Sequence, residues 1–281
     1  MAEGDLCVKH TLLALAAGYA LYFQPSEALR TRANLHYRRA IDLLTASFAD
    51  PKTQEIGNEE GVVASLLLLF IEDAVNWELR APKEREPRWL AGARMARLIL
   101  DKTDPGERYW KQSNVQSSQA RISNANMVAY VDICAHPVTP LKFDEEGRTY
   151  TWLLSGTESD SRRIHGGTGL CPKLLHMFGQ ITHFCALAVE DPDSPILIHA
   201  AEKLQARLSG FAQWSEESEA HLSPADLFAS CMPGFDGKVT TAAEVTQLTA
   251  ESYVAAAQIY LHCRFFRRVC FLFDFSSKIV S

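Results

Sequence analysis

Residues 59–78 read EEGVVASLLLLFIEDAVNWE, and the ten positions from Val62 to Ile71 carry no charge. As a helix this segment is apolar nearly all round in its middle, over Leu66 to Ile71. A helix that is apolar on every side is buried on every side, so the run predicts the central helix of the first half of the chain. Asn58 is a suitable N-cap for it. Glu72 and Asp73 close the run well short of the roughly 20 apolar residues that cross a bilayer.

Working outward, the flanking segments show one-sided stripes. From Glu27 to Phe48 the apolar positions Leu29, Ala33, Tyr37, Ala40, Ile41, Leu44 and Phe48 recur in steps that keep one helix face. Arg30, Arg32, Arg38, Arg39 and Asp42 fall mostly outside that stripe, and Asp50-Pro51 ends it because the residue before proline is pushed out of the helical region. On the other side, Pro82 and Pro87 bracket a charged turn. Trp89, Ala93, Ala96 and Leu100 then mark a helix ending at Asp101. Gln116 to Ala135 reads as a further helix, stopped by His136-Pro137 and Thr139-Pro140.

Residues 141–169 are the least regular. They are polar and glycine-containing, with one short strand-like run from Thr149 to Leu154, and they predict a long surface connection. Leu170 to Val189 is helical again, with Leu174, Phe178, Ile181, Cys185 and Ala188 in phase and Pro172 in the first turn, where its missing N–H costs nothing. Pro192 and Pro195 separate it from an amphipathic run, Ile196 to Trp214. A short helix over Pro224 to Cys231 follows, then a long one from Thr241 to Arg268, with Val245, Leu248, Ser252, Ala255, Ile259 and Phe266 in phase.

The fold class that follows is all-α: about eight helices packed as antiparallel neighbours in two halves. The halves are residues 1–140 and 170–268, joined by 141–169 and followed by an apolar tail, 269–281. The tail is either a sticky appendage or a piece that folds back to complete the core.

With 281 residues, 47% of them apolar and 22% charged, the chain has the composition of a globular protein with a real core. Its net charge of −6 gives no overall attraction to nucleic acid or anionic membrane. The apolar stretch Leu12 to Phe23 has the length of a signal-peptide core, but Glu3 and Asp5 stand where such a peptide carries positive charge. A buried first helix is the expected reading.

The seven cysteines, Cys7, Cys134, Cys171, Cys185, Cys231, Cys263 and Cys270, are odd in number, scattered and without a C-x-x-C pair. They read as free thiols of a reducing compartment, serving as small core residues. Cys171, His176, His183 and Cys185 cluster in sequence. On a helix, however, His176 and His183 stand about 10.5 Å apart, and His183 and Cys185 point to nearly opposite faces.

The loop His165-Gly166-Gly167-Thr168-Gly169 precedes a helix but has no lysine–serine pair after it, so Thr168 or Gly169 is expected to cap that helix rather than cradle phosphate. Neither Glu72-Asp73 nor Glu190-Asp191 with Asp193 has the spacing of a Mg²⁺-holding carboxylate cluster. The arginines at 30, 32, 38 and 39, and at 264, 267 and 268, are solvated helix faces. Residue types and spacing therefore assign no catalytic group, no metal ligand and no cofactor or cofactor-binding position.

A resemblance supplies more. The runs AIDLLTASFAD (40–50), LLLLFIEDAVNWELRAP (66–82) and RWLAGARMARLIL (88–100) resemble the fungal-specific transcription factor domain. That is the helical regulatory region C-terminal to the zinc binuclear cluster of many fungal regulators. GGTGLCPKLLHMFGQITHFCALA (166–188) and AAAQIYLHCRFFRR (255–268) are similar to its later helices, in family order over about residues 10 to 268. Members usually carry a six-cysteine zinc cluster, and no such cluster occurs in this sequence.

The resemblance implies a non-enzymatic transcription regulator of the nucleus, controlling a metabolic or secondary-metabolite pathway. It also implies protein partners in the transcription machinery or a dimer, an apolar small-molecule effector, DNA reached only indirectly, and no membrane role. A ligand-binding or protein-interaction scaffold without a promoter role is the second reading, and an all-α Mg-dependent enzyme the third.

Overall fold

The computed structural model describes residues 5–54, 59–75, 88–103, 118–135, 150–154, 156–217, 239 and 241–267. Among them the regular structure is helical, and an isolated parallel bridge between Arg163 and Trp214 is the one strand-like pairing. The all-α class is the observed one. The chain forms two compact units, Met1–Ala135 and His136–Ser281.

The first unit holds α1 (Leu6–Phe23), α2 (Glu27–Ala49), a 3-10 turn (Pro51–Gln54), α3 (Glu60–Val75), α4 (Arg88–Thr103) and α5 (Gln119–Ala135). Asp5 starts α1, its carboxylate accepting from the Cys7 N–H at 2.8 Å and the Val8 N–H at 3.1 Å. Ser26 caps α2 through Leu29 N–H. The two helices run antiparallel: the Cys7 thiol reaches the Ala40 carbonyl at 3.5 Å, and His10 meets His36.

As its all-round apolar character predicts, α3 is central to this unit and packs against α1, α2, α4 and α5. Val63, Leu66, Leu67, Leu69 and Phe70 are buried, while Leu68 and Ile71 are half-buried. Gly61 lets the start of α3 approach the start of α1: a Cβ there would collide with the Asp5 carboxylate. The predicted stripes of α2 and α4 hold at Ala33, Ala40, Leu44, Ala93, Ala96 and Leu100, all buried, and fail at Ile41 and Phe48, which are exposed toward the outer side of α2.

Among its described residues the second unit holds a 3-10 turn, Thr151–Leu154, and α6 (Glu158–Arg162), α7 (Pro172–Glu190), α8 (Pro195–Ser209) and α9 (Ala242–Arg264). The Thr182 and Tyr260 hydroxyls meet at 2.8 Å, and the rings of Phe184 and Phe265 touch further along, so α7 and α9 run parallel. Gln205 meets His262, and Gln258 donates to the Leu208 carbonyl, so α8 runs antiparallel to α9.

Three sequence expectations differ from the structure. The described part of 141–169 is not wholly a surface connection, although 156–160, Arg163, Gly166 and Gly167 are exposed. Tyr150, Trp152, Leu153 and Ile164 are buried, and the turn and α6 pack on α7, because the bulky side chains of the strand-like run form a 3-10 turn that tucks them under the helix. The cap of α7 is neither Thr168 nor Gly169 but Cys171, whose sulfur accepts from Leu174 N–H at 3.4 Å. Gly169 instead takes a positive φ of 74° beside Thr249 and Tyr253, a turn conformation that glycine adopts without strain.

The third difference is the buried face of α9, which comprises Gln247, Ala250, Glu251, Val254, Ala257 and Leu261. The expected stripe is exposed at Val245 and Ser252 and half-buried at Leu248, Ala255 and Ile259. Small alanines allow close helix approach and amides bond across it, so hydrophobicity alone gave the wrong phase. The Asn58 cap, the Pro82–Pro87 turn, the Pro224–Cys231 helix and the 269–281 tail lie outside the described residues.

Candidate interaction surface

The first helix has two apolar sides. Cys7, Val8, Thr11 and Ala14 face inward and are buried. Leu6, Tyr19, Tyr22 and Phe23 are 60%, 64%, 85% and 67% exposed, and Leu12 and Leu13 about 40%. The rings of Tyr19 and Tyr22 lie edge-on to Phe23, with centroids 5.1 and 5.3 Å away. The sequence reading of a buried first helix is therefore corrected: α1 packs on α2 and α3 and leaves an apolar side to solvent.

Large exposed apolar patches mark contact sites, and clustered tyrosines are typical of the residues that dominate binding energy. By length and composition α1 is also the described helix long and apolar enough to cross a membrane, with a mean hydropathy of 1.4. Core helices of globular proteins share that length and composition.

Beside this patch, α2 exposes Arg30, Arg32, Arg38 and Arg39. Where the two helices meet, the Nδ1 atoms of His10 and His36 are 2.9 Å apart. Burial first, then His36, Arg39 and Lys9, hold the His10 pKa below its usual value.

Inside the first unit lies a charged layer that the sequence did not reveal. Arg121, 4% exposed, pairs with buried Glu59 and donates to the Thr103 hydroxyl at 3.2 Å. Arg97 lies 3.5 Å from Asp132, both buried. Glu72 and Asp73 are buried too. Burial lowers the Arg121 pKa, yet a guanidinium remains charged.

In the second unit Gln213 joins three elements. Its carbonyl accepts from Cys171 N–H at 2.7 Å, and its amide donates to the Ala250 carbonyl at 2.8 Å. Next to it Gln247 reaches Ser215 at 3.5 Å, and burial pushes Glu251 up to about 7. At the surface, Lys173 and Arg162 hold Glu158 below the usual carboxylate range.

Of the residues weighed as metal ligands, Cys171 and Cys185 are buried and His176 and His183 half-buried on α7. Among the described residues no group of three or more His, Cys, Asp or Glu side chains gathers where an ion could sit. Glu190, Asp191 and Asp193 are exposed at the α7–α8 turn, and Glu72 and Asp73 are buried in the first unit. Burial pushes the Cys171 thiol up to about 12 and the Cys185 thiol to about 11, which keeps both protonated at neutral pH.

The family model for the fungal-specific transcription factor domain matches residues 1–270. The chain belongs to the fungal-specific transcription factor domain family. This is a family of transcription-factor regulatory domains, not of enzymes, and it implies a nuclear protein. Neither a curated protein nor a solved structure matches the chain. In this family member, the match begins with the segment that forms two-sided α1 and extends through α9. Sequence reasoning missed the outward side of α1 because it sought one stripe per helix. The 12-residue run from Leu12 to Phe23 without a charge was the available signal.

Proposed function

We propose that this chain is the regulatory body of a fungal transcription regulator, acting in the nucleus on genes of a metabolic or secondary-metabolite pathway. The family match over residues 1–270 carries the reading. The domain works by contact rather than by chemistry, and its protonated buried thiols are consistent with that. Its partners are proteins of the transcription machinery or a dimer partner. DNA is reached through such partners, in keeping with the net charge of −6. An apolar small molecule held between helices is the effector class that a helical bundle accommodates.

The test is to tether the chain to an unrelated sequence-specific DNA-binding module in a fungal reporter strain and to follow a fluorescent fusion by microscopy. Nuclear accumulation and a reporter change of about tenfold are expected. A chain that is excluded from the nucleus and inert when tethered would instead be a scaffold with no promoter role.

A further inference from the structure

The outward side of α1 has a definite period. Leu6, Lys9, Leu13, Ala16, Ala20 and Phe23 follow one another at steps of three, four, three, four and three, the a/d spacing of a coiled coil. Ala20 is half-buried, and the other five are exposed. This stripe is separate from the one seated on α2 and α3.

The sequence also contains a symmetry. Laid antiparallel against a second α1, with a two-fold axis near residue 14.5, Leu6 faces Phe23, Lys9 faces Ala20, and Leu13 faces Ala16. The two inner pairings set a large side chain against a small one, which is how facing layers interdigitate. Leu12 and Tyr19, one residue before Leu13 and Ala20, take the flanking g positions that face each other in antiparallel pairs.

We propose that α1 is a self-association helix that pairs antiparallel with α1 of a second copy of this chain. The proposal deepens the reading of a regulator that acts by protein contact, and names that contact.

Two further observations favour this occupant. Leu6, Leu12, Leu13, Tyr19 and Phe23 leave roughly 500 Å² of apolar side chain uncovered. Two copies together reach about 1,000 Å², where specific interfaces begin. Charge chooses the direction. Lys9 is the one charge between Asp5 and Glu27. A parallel pair would set Lys9 against Lys9. The antiparallel pair sets each lysine over Ala20 and parts the two by about 16 Å along the axis, beyond the ~8 Å screening length of physiological salt.

Sedimentation equilibrium of the purified full chain tests this, with Leu13→Glu, Ala16→Lys and the double variant. Both positions are exposed, so helicity and melting should match the wild type and report on folding. A monomer–dimer equilibrium at micromolar concentration is expected. Each single variant should weaken the dimer about tenfold or more. The double variant should return to within about threefold of wild type, because the carboxylate introduced on one copy then faces the ammonium introduced on the other.

Four results would overturn the proposal. One is a wild type that stays monomeric up to about 100 μM. Another is a dimer indifferent to both single variants. A third is a double variant weaker than either single one, the mark of parallel pairing. The last is a chain that is monomeric alone but floats with phosphatidylcholine vesicles. None of these touches the tethered-reporter result, so the two readings fail separately.

Discussion

Helices α1 and α3 have nearly the same composition and opposite fates. Each holds at least ten consecutive residues without a charge, and neither has a polar face to give to water. Four helices pack against α3, and most of its circumference becomes core, with Leu68 and Ile71 half-buried. Among the described residues α1 packs chiefly on α2 and α3, and Leu6, Tyr19 and Phe23 remain outside. An apolar circumference thus says that a helix needs covering on all sides. Topology decides whether the cover comes from the same chain. An edge helix with a core helix's composition has an open side available for a partner.

The sharpest way to break this comparison is to place the same charge on both helices. Val63, 1% exposed on α3, replaced by Asp would bury an unpaired carboxylate. A loss of roughly 3–5 kcal/mol is expected in denaturant unfolding. Leu13→Asp on the outward side of α1 should stay within about 0.5 kcal/mol at concentrations where the chain is monomeric. Equal costs would mean that the two helices are not differently covered.

The charged layer under α3 offers the next effect. Arg121→Met removes the cation beside buried Glu59 and should cost about 3 kcal/mol. Adding Glu59→Gln should recover most of that, because the cost lies in stranding one charge rather than in losing the pair. Melting curves of the two variants check it.

A smaller effect separates the second unit from the first. Glu251 has a folded pKa raised to about 7 by burial, above its unfolded value. The folded state therefore holds the proton more tightly, and its stability falls as pH rises from the ordinary carboxylate range through about 7. Glu251→Gln should flatten that fall and gain on the order of 1–3 kcal/mol at pH 8. Unfolding measured at pH 5 and pH 8 reads the difference.

Much of the fold was legible in the sequence, and what was missed has physical causes. The stripes of α2, α4 and α7 were readable because their buried positions are aliphatic and the opposite faces charged or polar. The α9 face was not, because Ala250 and Ala257 pack by being small while Gln247 and Glu251 are buried polar groups. Nothing local marks Glu59, Glu72, Arg97, Arg121 and Asp132 as interior. Their burial depends on which helices meet, and the two charge pairs join residues 35 and 62 positions apart in the chain. The outward stripe of α1 was present in the letters, but the expectation of a buried helix concealed it.

The difference between α1 and α3 can be read directly by hydroxyl-radical footprinting of the wild-type chain at low and high concentration. The expected result is that Tyr19 and Phe23 label readily in dilute solution and become protected as the chain is concentrated, while Phe70 of α3 stays protected throughout. Labelling of Tyr19 and Phe23 that is independent of concentration, or Phe70 labelled as fast as either, would contradict it.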